Sequence, residues 1–168
     1  MSLACLRSFF LPALLVSITV LVASLRLESV VGLVPCALCF SQRLMLGLYA
    51  LVCLAALIHR PGTRGQRSYG WLALGCAVGG ALLAGRHVWL QADPQLLEGC
   101  HLPLAQLIDQ PLGELARALL MGTPDCVSIS WSFLDLTLPE WSLLAFLLLA
   151  ALPLSWLTAN RLRQRAWD

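Results

Sequence analysis

The stretch "VPCALCFSQR", residues 34–43, places two cysteines two residues apart and an arginine four residues after the second, inside an otherwise uncharged run. Thiols at this spacing can cycle between dithiol and disulfide, supply half of a metal site, or staple the fold. With seven cysteines in 168 residues the spacing alone decides little, so its surroundings must. Pro35 has no N–H to donate and suits a position at or before a helix start. A helix therefore begins beside the pair, with Cys39 in its first turn, where the helix dipole favours an anion. Arg43 follows on the same face one turn deeper. A positive dipole end and a guanidinium together stabilise a thiolate, the reactive form of cysteine.

The elements that hold these residues belong to a membrane protein. The chain is 59% hydrophobic and only 12% charged, about half the charge of an ordinary soluble domain. Ser8–Leu25, Ser68–Gly85 and Trp141–Asn160 carry no charge, and Ser29–Ile58 is broken only by Arg43. A helix needs about 20 mostly apolar residues to cross the hydrocarbon core. One membrane domain over residues 1–168 is expected, with spans at about 8–25, 40–58, 69–89 and 141–159. The first run has no small-x-small cleavage site ahead of a soluble domain, so it is read as a retained span and not a signal peptide.

Arginines orient the bundle, since the chain has no lysine. Arg60, Arg64 and Arg67 lie between spans two and three, and Arg161, Arg163 and Arg165 lie in the C-terminal tail. The positive-inside rule puts the loop at about 59–68 and both termini in the cytoplasm. Loops at about 26–39 and 90–140 then face the opposite side, and the second holds seven of the nine acidic residues. The net charge of +2 conceals this asymmetry and gives no reason to expect nucleic-acid binding.

Orientation sorts the cysteines. Cys5 is cytoplasmic, while Cys53 and Cys76 lie inside spans, where a thiol packs as a small apolar group. Cys36, Cys39, Cys100 and Cys126 face the compartment where disulfides persist. Two static disulfides remain one reading of them. A four-thiolate zinc site is another, although 25 residues separate Cys100 from Cys126 and leave no second compact half-site. Redox exchange is the reading that also uses Arg43. An arginine costs roughly 2.5–3.5 kcal/mol at mid-span and less near an end. It either snorkels to the headgroups or meets an acceptor: a thiolate, a lipid phosphate or a polar cofactor. Span three brings Arg86 and His87 to the same level. In the long loop Leu104, Leu107, Ile108, Leu112, Leu115 and Leu119 recur at helical spacing, with Pro111 interrupting. They predict a short amphipathic helix, lying on the membrane or packed within the loop. Gly75, Gly79, Gly80 and Gly85 predict close helix contacts along span three.

These residues, in order, resemble the DsbB family of inner-membrane quinone reductases. "PCALC" with Arg43 looks like the family's first-loop pair, "RHVWLQADP" like its span-three exit, and "DCVSISWSFLDLTLPEW" like the segment leading into span four. The vitamin K epoxide reductase family also combines four helices with C-x-x-C, but its active pair lies near the last core span. The resemblance implies an all-α four-helix membrane bundle in the bacterial inner membrane, with a long periplasmic loop containing the short amphipathic helix. It implies that the protein reoxidises a DsbA-like thioredoxin-fold partner. Cys100 would be attacked by the partner's thiolate, Cys126 would pair transiently with Cys36, and Cys39 would pass electrons to ubiquinone, or to menaquinone without oxygen. Arg43 and His87 would border the quinone. Two departures stand out: Ser41–Gln42 replaces the more usual tyrosine–glutamate, and Ala92–Asp93 replaces leucine–tyrosine.

Overall fold

The computed structural model describes residues 3–32, 36–92, 110–123, 126 and 132–165. Four helices dominate it: α1 (Leu3–Val31), α2 (Ala37–His59), α3 (Thr63–Ala92) and α5 (Leu138–Arg165). A short helix, α4 (Leu112–Met121), and a two-strand hairpin, β1 (Ser132–Phe133) with β2 (Leu136–Thr137), lie between α3 and α5. Each long helix contains an apolar segment of at least 22 residues, or about 33 Å of rise against a hydrocarbon core of about 30 Å. The protein is an all-α four-helix membrane protein.

The helices close into a ring, α1 beside α2, α2 beside α3, α3 beside α5, and α5 back beside α1. Leu51, Leu82 and Leu148 point outward and are 60%, 70% and 70% exposed, whereas Phe10, Tyr49, Ala77 and Leu149 are fully buried. Large apolar side chains on the outside suit a lipid solvent, and buried alanines such as Ala56, Ala73 and Ala77 let the backbones approach.

One contact shows how the bundle meets the bilayer's demand that polar groups be satisfied internally. Pro153 lies inside α5 and has no N–H for the carbonyl of Leu149 one turn earlier. The Tyr49 hydroxyl of α2 donates to that carbonyl at 3.1 Å, so the proline's missing donor becomes an interhelical bond. Close packing of α3 on α5 depends on Gly80, where an added Cβ would lie 2.2 Å from a ring carbon of Phe146. Of the other three glycines expected to make close contacts, Gly79 meets only the Met45 sulfur at 3.6 Å, and Gly75 and Gly85 face open space, whereas Gly70, outside that set, would bring a Cβ within 3.1 Å of Trp156. Among the four expected, close contact is thus confined to one.

The loop elements have local causes. Leu134 and Asp135 both take positive φ, 54° and 60°, as a two-residue hairpin turn of the right twist requires. The hairpin delivers Thr137 to the start of α5, where Glu140 accepts from its N–H at 2.6 Å and its hydroxyl at 3.0 Å. This is a capping-box arrangement that fixes where α5 begins. Helix α4 starts directly after Pro111, at the break expected from the sequence; the expected helical positions Leu104, Leu107 and Ile108 lie outside the described residues. Its Leu115, Ala118 and Leu119 pack against Ala37 of α2, while Leu112, Leu120 and Met121 stay exposed. The Ser41 hydroxyl is shared between the Ala37 carbonyl at 3.1 Å and the Leu119 carbonyl at 2.7 Å. A side chain as short as serine lets α4 settle onto α2 at this point.

Gly80→Ala is expected to destabilise the bundle by about 1–3 kcal/mol through overpacking against Phe146. Gly75→Ala, facing open space, should be neutral or slightly stabilising because alanine is the better helix former. Thermal unfolding in detergent checks the pair; equal effects would remove the Gly80–Phe146 contact from the account.

Candidate functional site

Helix α2 begins as the sequence predicts, with Cys36 as its N-cap. The Cys36 sulfur accepts from the N–H of Cys39 at 3.4 Å, filling one of the helix's unpaired amino-terminal donors. This cap holds both sulfurs on the same side of the first turn, 3.0 Å apart. Helix α3 places His87 opposite, with Nε2 3.8 Å from the Cys36 sulfur. The same nitrogen lies 3.1 Å from the Cys126 carbonyl. A carbonyl only accepts, so Nε2 carries the hydrogen and Nδ1 is left to accept from the Gln42 amide at 3.3 Å. Gln42 and His87 are both buried.

Cys126 reaches the cluster through a sharp turn. Gly122, at φ 91°, ends α4 and passes over the ends of α2 and α3 so closely that a Cβ would meet Leu90 at 2.8 Å and Leu38 at 2.9 Å. Thr123 follows, its carbonyl accepting from the Cys126 N–H at 2.9 Å. Cys126 is then 1% exposed, and its sulfur, the Cys36 sulfur and a ring nitrogen of His87 all lie within 4.8 Å of one another. Cys36 is the middle sulfur of three. Its thiol is pushed strongly up, first by hydrogen bonds to Cys126 and Cys39 and then by burial. Cys126 is brought down to about 6, chiefly by accepting from Cys36 and against the effect of burial. These shifts favour the proton on Cys36 and negative charge on Cys126.

Beside this cluster, between α1, α2, α3 and α5, lies a cavity of about 470 Å³. That volume falls in the range of small-molecule sites. Its walls are mostly apolar, including Val20, Leu27, Leu46 and Phe146; Cys39, Gln42, Arg43 and His87 supply polar groups. The Arg43 guanidinium pairs with the Glu28 carboxylate and donates to the Ser24 carbonyl at 3.3 Å, both on α1. Arg43 thus neither snorkels alone nor rests on a thiolate. It ties α1 to α2 in the cavity wall.

Of the residues singled out by sequence, Cys36, Cys39, Arg43, His87 and Cys126 are brought together, and Cys100 lies outside the described residues. Arg86 is a correction, since it does not line the cavity and its buried Nε has no hydrogen-bond partner among the described residues. On α3 it is one position away from His87, about 100° around the helix, so equal depth does not give an equal direction. Sequence reasoning missed Glu28 as the counter-ion of Arg43. The signal was available, for Glu28 is the sole acidic residue in the first 92 positions. Nothing local in the sequence signals the hydrogen bond from Gln42 to His87.

Fold and site together define a multi-pass membrane protein with clustered thiols at one end and an adjoining apolar cavity. The family model described as "Disulfide bond formation protein DsbB" matches residues 6–156. Similar proteins include "Disulfide bond formation protein B 2" of Pseudomonas entomophila (strain L48), 76% identical over 99% of both chains. The protein of the same name from Pseudomonas putida is 63% identical over 96% of both, and "Disulfide bond formation protein B" of Methylococcus capsulatus is 42% identical over 96% of this chain and 100% of its own. No solved structure matches the chain. The chain belongs to the DsbB family, and its role is that of a membrane oxidoreductase in disulfide bond formation.

The turn at Gly122 makes a prediction about this geometry. With Cys39 and Cys100 replaced by alanine, Cys36 and Cys126 should oxidise readily to a mutual disulfide. Gly122→Ala should slow that reaction, because alanine at this φ stores about 1–3 kcal/mol of strain and its Cβ presses on Leu38 and Leu90. Peptide mapping after timed alkylation reads the outcome; an unchanged rate would mean that the turn does not position Cys126.

Proposed function

We propose that this protein reoxidises a DsbA-type thiol oxidase and passes the electrons to a membrane quinone. In this reading it lies in the bacterial inner membrane, with both termini cytoplasmic and the thiol cluster facing the periplasm. The carrying observation is the position of the Cys36 sulfur, 3.0 Å from Cys39, within 4.8 Å of Cys126, and next to a cavity that Cys39 itself lines. A sulfur between two others can exchange disulfide partners with little movement.

The exchange balances in two electrons. A thiolate of the reduced partner attacks Cys100 in a Cys100–Cys126 disulfide, forming a mixed disulfide and releasing Cys126 as thiolate. Cys126 attacks Cys36 in the Cys36–Cys39 disulfide, and Cys39 leaves as thiolate. The partner's second thiol then breaks the mixed disulfide, giving oxidised partner and a free Cys100. The stabilised Cys126 thiolate suits both the leaving role and the attacking role.

The cavity fits a quinone by its own chemistry, with an apolar lining for a ring and hydrogen-bond donors where carbonyl oxygens would be met. A quinone bound there would supply a two-electron acceptor soluble in the lipid. Around it, Cys39 presents its sulfur at the wall, the α2 amino end stabilises charge on that sulfur, and the apolar walls exclude water. Arg43, held by Glu28 and the Ser24 carbonyl, fixes a cation at the cavity edge. His87 is oriented by Gln42 on one nitrogen and the Cys126 carbonyl on the other.

Membranes containing the protein are expected to reduce ubiquinone when given a reduced DsbA-type donor; purified protein that neither oxidises the donor nor reduces quinone would leave two structural disulfides as the reading. A reduced donor lacking its second cysteine should be held by the oxidised wild-type protein as a mixed disulfide with Cys100, releasing Cys126 as thiolate, and Cys100→Ala should not capture it; a mixed disulfide mapped to Cys126 would reverse the proposed order of attack. Arg43→Met should slow quinone reduction about ten- to hundredfold, from the loss of about 1.5–3 kcal/mol of charged hydrogen bonding. Because it also strands Glu28, the informative comparison is with Glu28→Gln and the double variant. If the double variant restores wild-type quinone kinetics, Arg43 acts only as a tie between helices.

A further inference from the structure

The thiol cluster has the composition and spacing of a soft-metal site. We infer that the fully reduced protein binds one thiophilic divalent cation, zinc or cadmium, through Cys36, Cys126 and His87, with Cys39 as the fourth ligand. The inference stands on the geometry of these side chains and not on which electron acceptor the protein uses. In sequence the C-x-x-C pair lacks a second half-site; in the structure Cys126 and His87 supply it from a loop and a different helix.

The ligand atoms of Cys36, Cys126 and His87 already lie within 4.8 Å of one another. In a tetrahedral zinc site, with bonds of about 2.3 Å to sulfur and 2.0–2.1 Å to nitrogen, ligand atoms stand about 3.5–3.8 Å apart, so only small side-chain rotations are needed. The Nε2–Cys36 sulfur distance is already 3.8 Å. Cys39, with its sulfur 3.0 Å from that of Cys36, completes a Cys₃His set by moving apart from it.

The surroundings of the histidine supply what a metal-binding imidazole requires. As a ligand, Nε2 gives up its hydrogen and its bond to the Cys126 carbonyl, so the remaining hydrogen sits on Nδ1 and needs an acceptor. Gln42 lies 3.3 Å from Nδ1. Turning its amide over replaces the NH₂ by the carbonyl oxygen, which accepts. A neutral amide can support both forms of the ring, and an oriented acceptor behind a histidine ligand is the usual second-shell arrangement. All three primary ligands are buried, Cys36 at 7%, His87 at 3% and Cys126 at 1% exposed. Thiol protons leave to water as the ion binds. An ion held there occupies the sulfurs that must exchange, so the metal-bound protein is arrested until the ion is withdrawn.

Full-length protein in detergent, reduced with a phosphine and freed of excess reagent, is titrated with cadmium, and zinc is then added in competition. One cadmium per reduced chain is expected, with thiolate-to-metal charge-transfer absorption, and none for the same protein oxidised. Cys126→Ser should lower that absorption by about one third, as expected for one thiolate among three. Gln42→Leu should weaken binding about ten- to hundredfold, the effect of losing an outer-shell partner. Cys100→Ala should bind as the wild type does. Equal binding by reduced and oxidised protein, an undiminished signal in Cys126→Ser, or loss of binding in Cys100→Ala would each overturn the assignment. Thermal unfolding in detergent establishes that each variant is folded before it is titrated, and the comparison of reduced with oxidised wild type tests the site without any substitution.

Discussion

The Cys36 sulfur caps the amino end of α2, and the arrangement of the site follows from that contact. By accepting from the Cys39 N–H at 3.4 Å it fixes the first turn, and with it the separation of the two sulfurs and the direction in which Cys39 enters the cavity. A helix start is also a source of unpaired N–H groups. Using a cysteine there places the exchangeable sulfur where the backbone itself stabilises negative charge. His87 and Cys126 then need only be brought to one place, the end of α2.

Lipid explains why several polar groups occur as matched partners. A polar side chain inside the bundle has no water to fall back on, so a complement on its own or a neighbouring helix stabilises it. Tyr49 answers the carbonyl left by Pro153, Glu28 and the Ser24 carbonyl answer Arg43, and Gln42 answers His87. Each of these contacts joins two different helices. The same partners that remove a polar penalty therefore also set the shape of the cavity between α1, α2, α3 and α5. Phe146 links packing to the site in a similar way, with one side against Gly80 and another in the cavity wall.

The loop contribution is of another kind. Helix α4 covers the start of α2 through Leu115, Ala118 and Leu119 while exposing Leu112 and Leu120. It therefore packs on the bundle with one face and leaves apolar side chains exposed on others. Ser41 and Gln42 have separate uses here. Ser41 holds α4 by its Leu119 carbonyl, and Gln42 holds the histidine.

The sequence by itself determined the four spans, because an uncharged run of about 20 residues has few stable alternatives to a membrane helix. It also determined the start of α2, since Pro35 limits what precedes it and the cysteine pair must follow within the first turn. The cluster of Cys36, Cys39, Arg43, His87 and Cys126 was legible as a set of residues of suitable chemistry. Which of them touch was decided by tertiary structure. Arg86 and His87 are neighbours in sequence, yet helical rotation sends only one into the cavity. Glu28 and Arg43 are 15 residues apart on different helices, and no local pattern reports that α1 and α2 face each other at that level. Cys126 comes to Cys36 only because Gly122 turns the chain over Leu38 and Leu90. Spans and helix starts are local consequences of composition and backbone chemistry; contacts across helices depend on rotation and close approach, which are properties of the packed bundle alone.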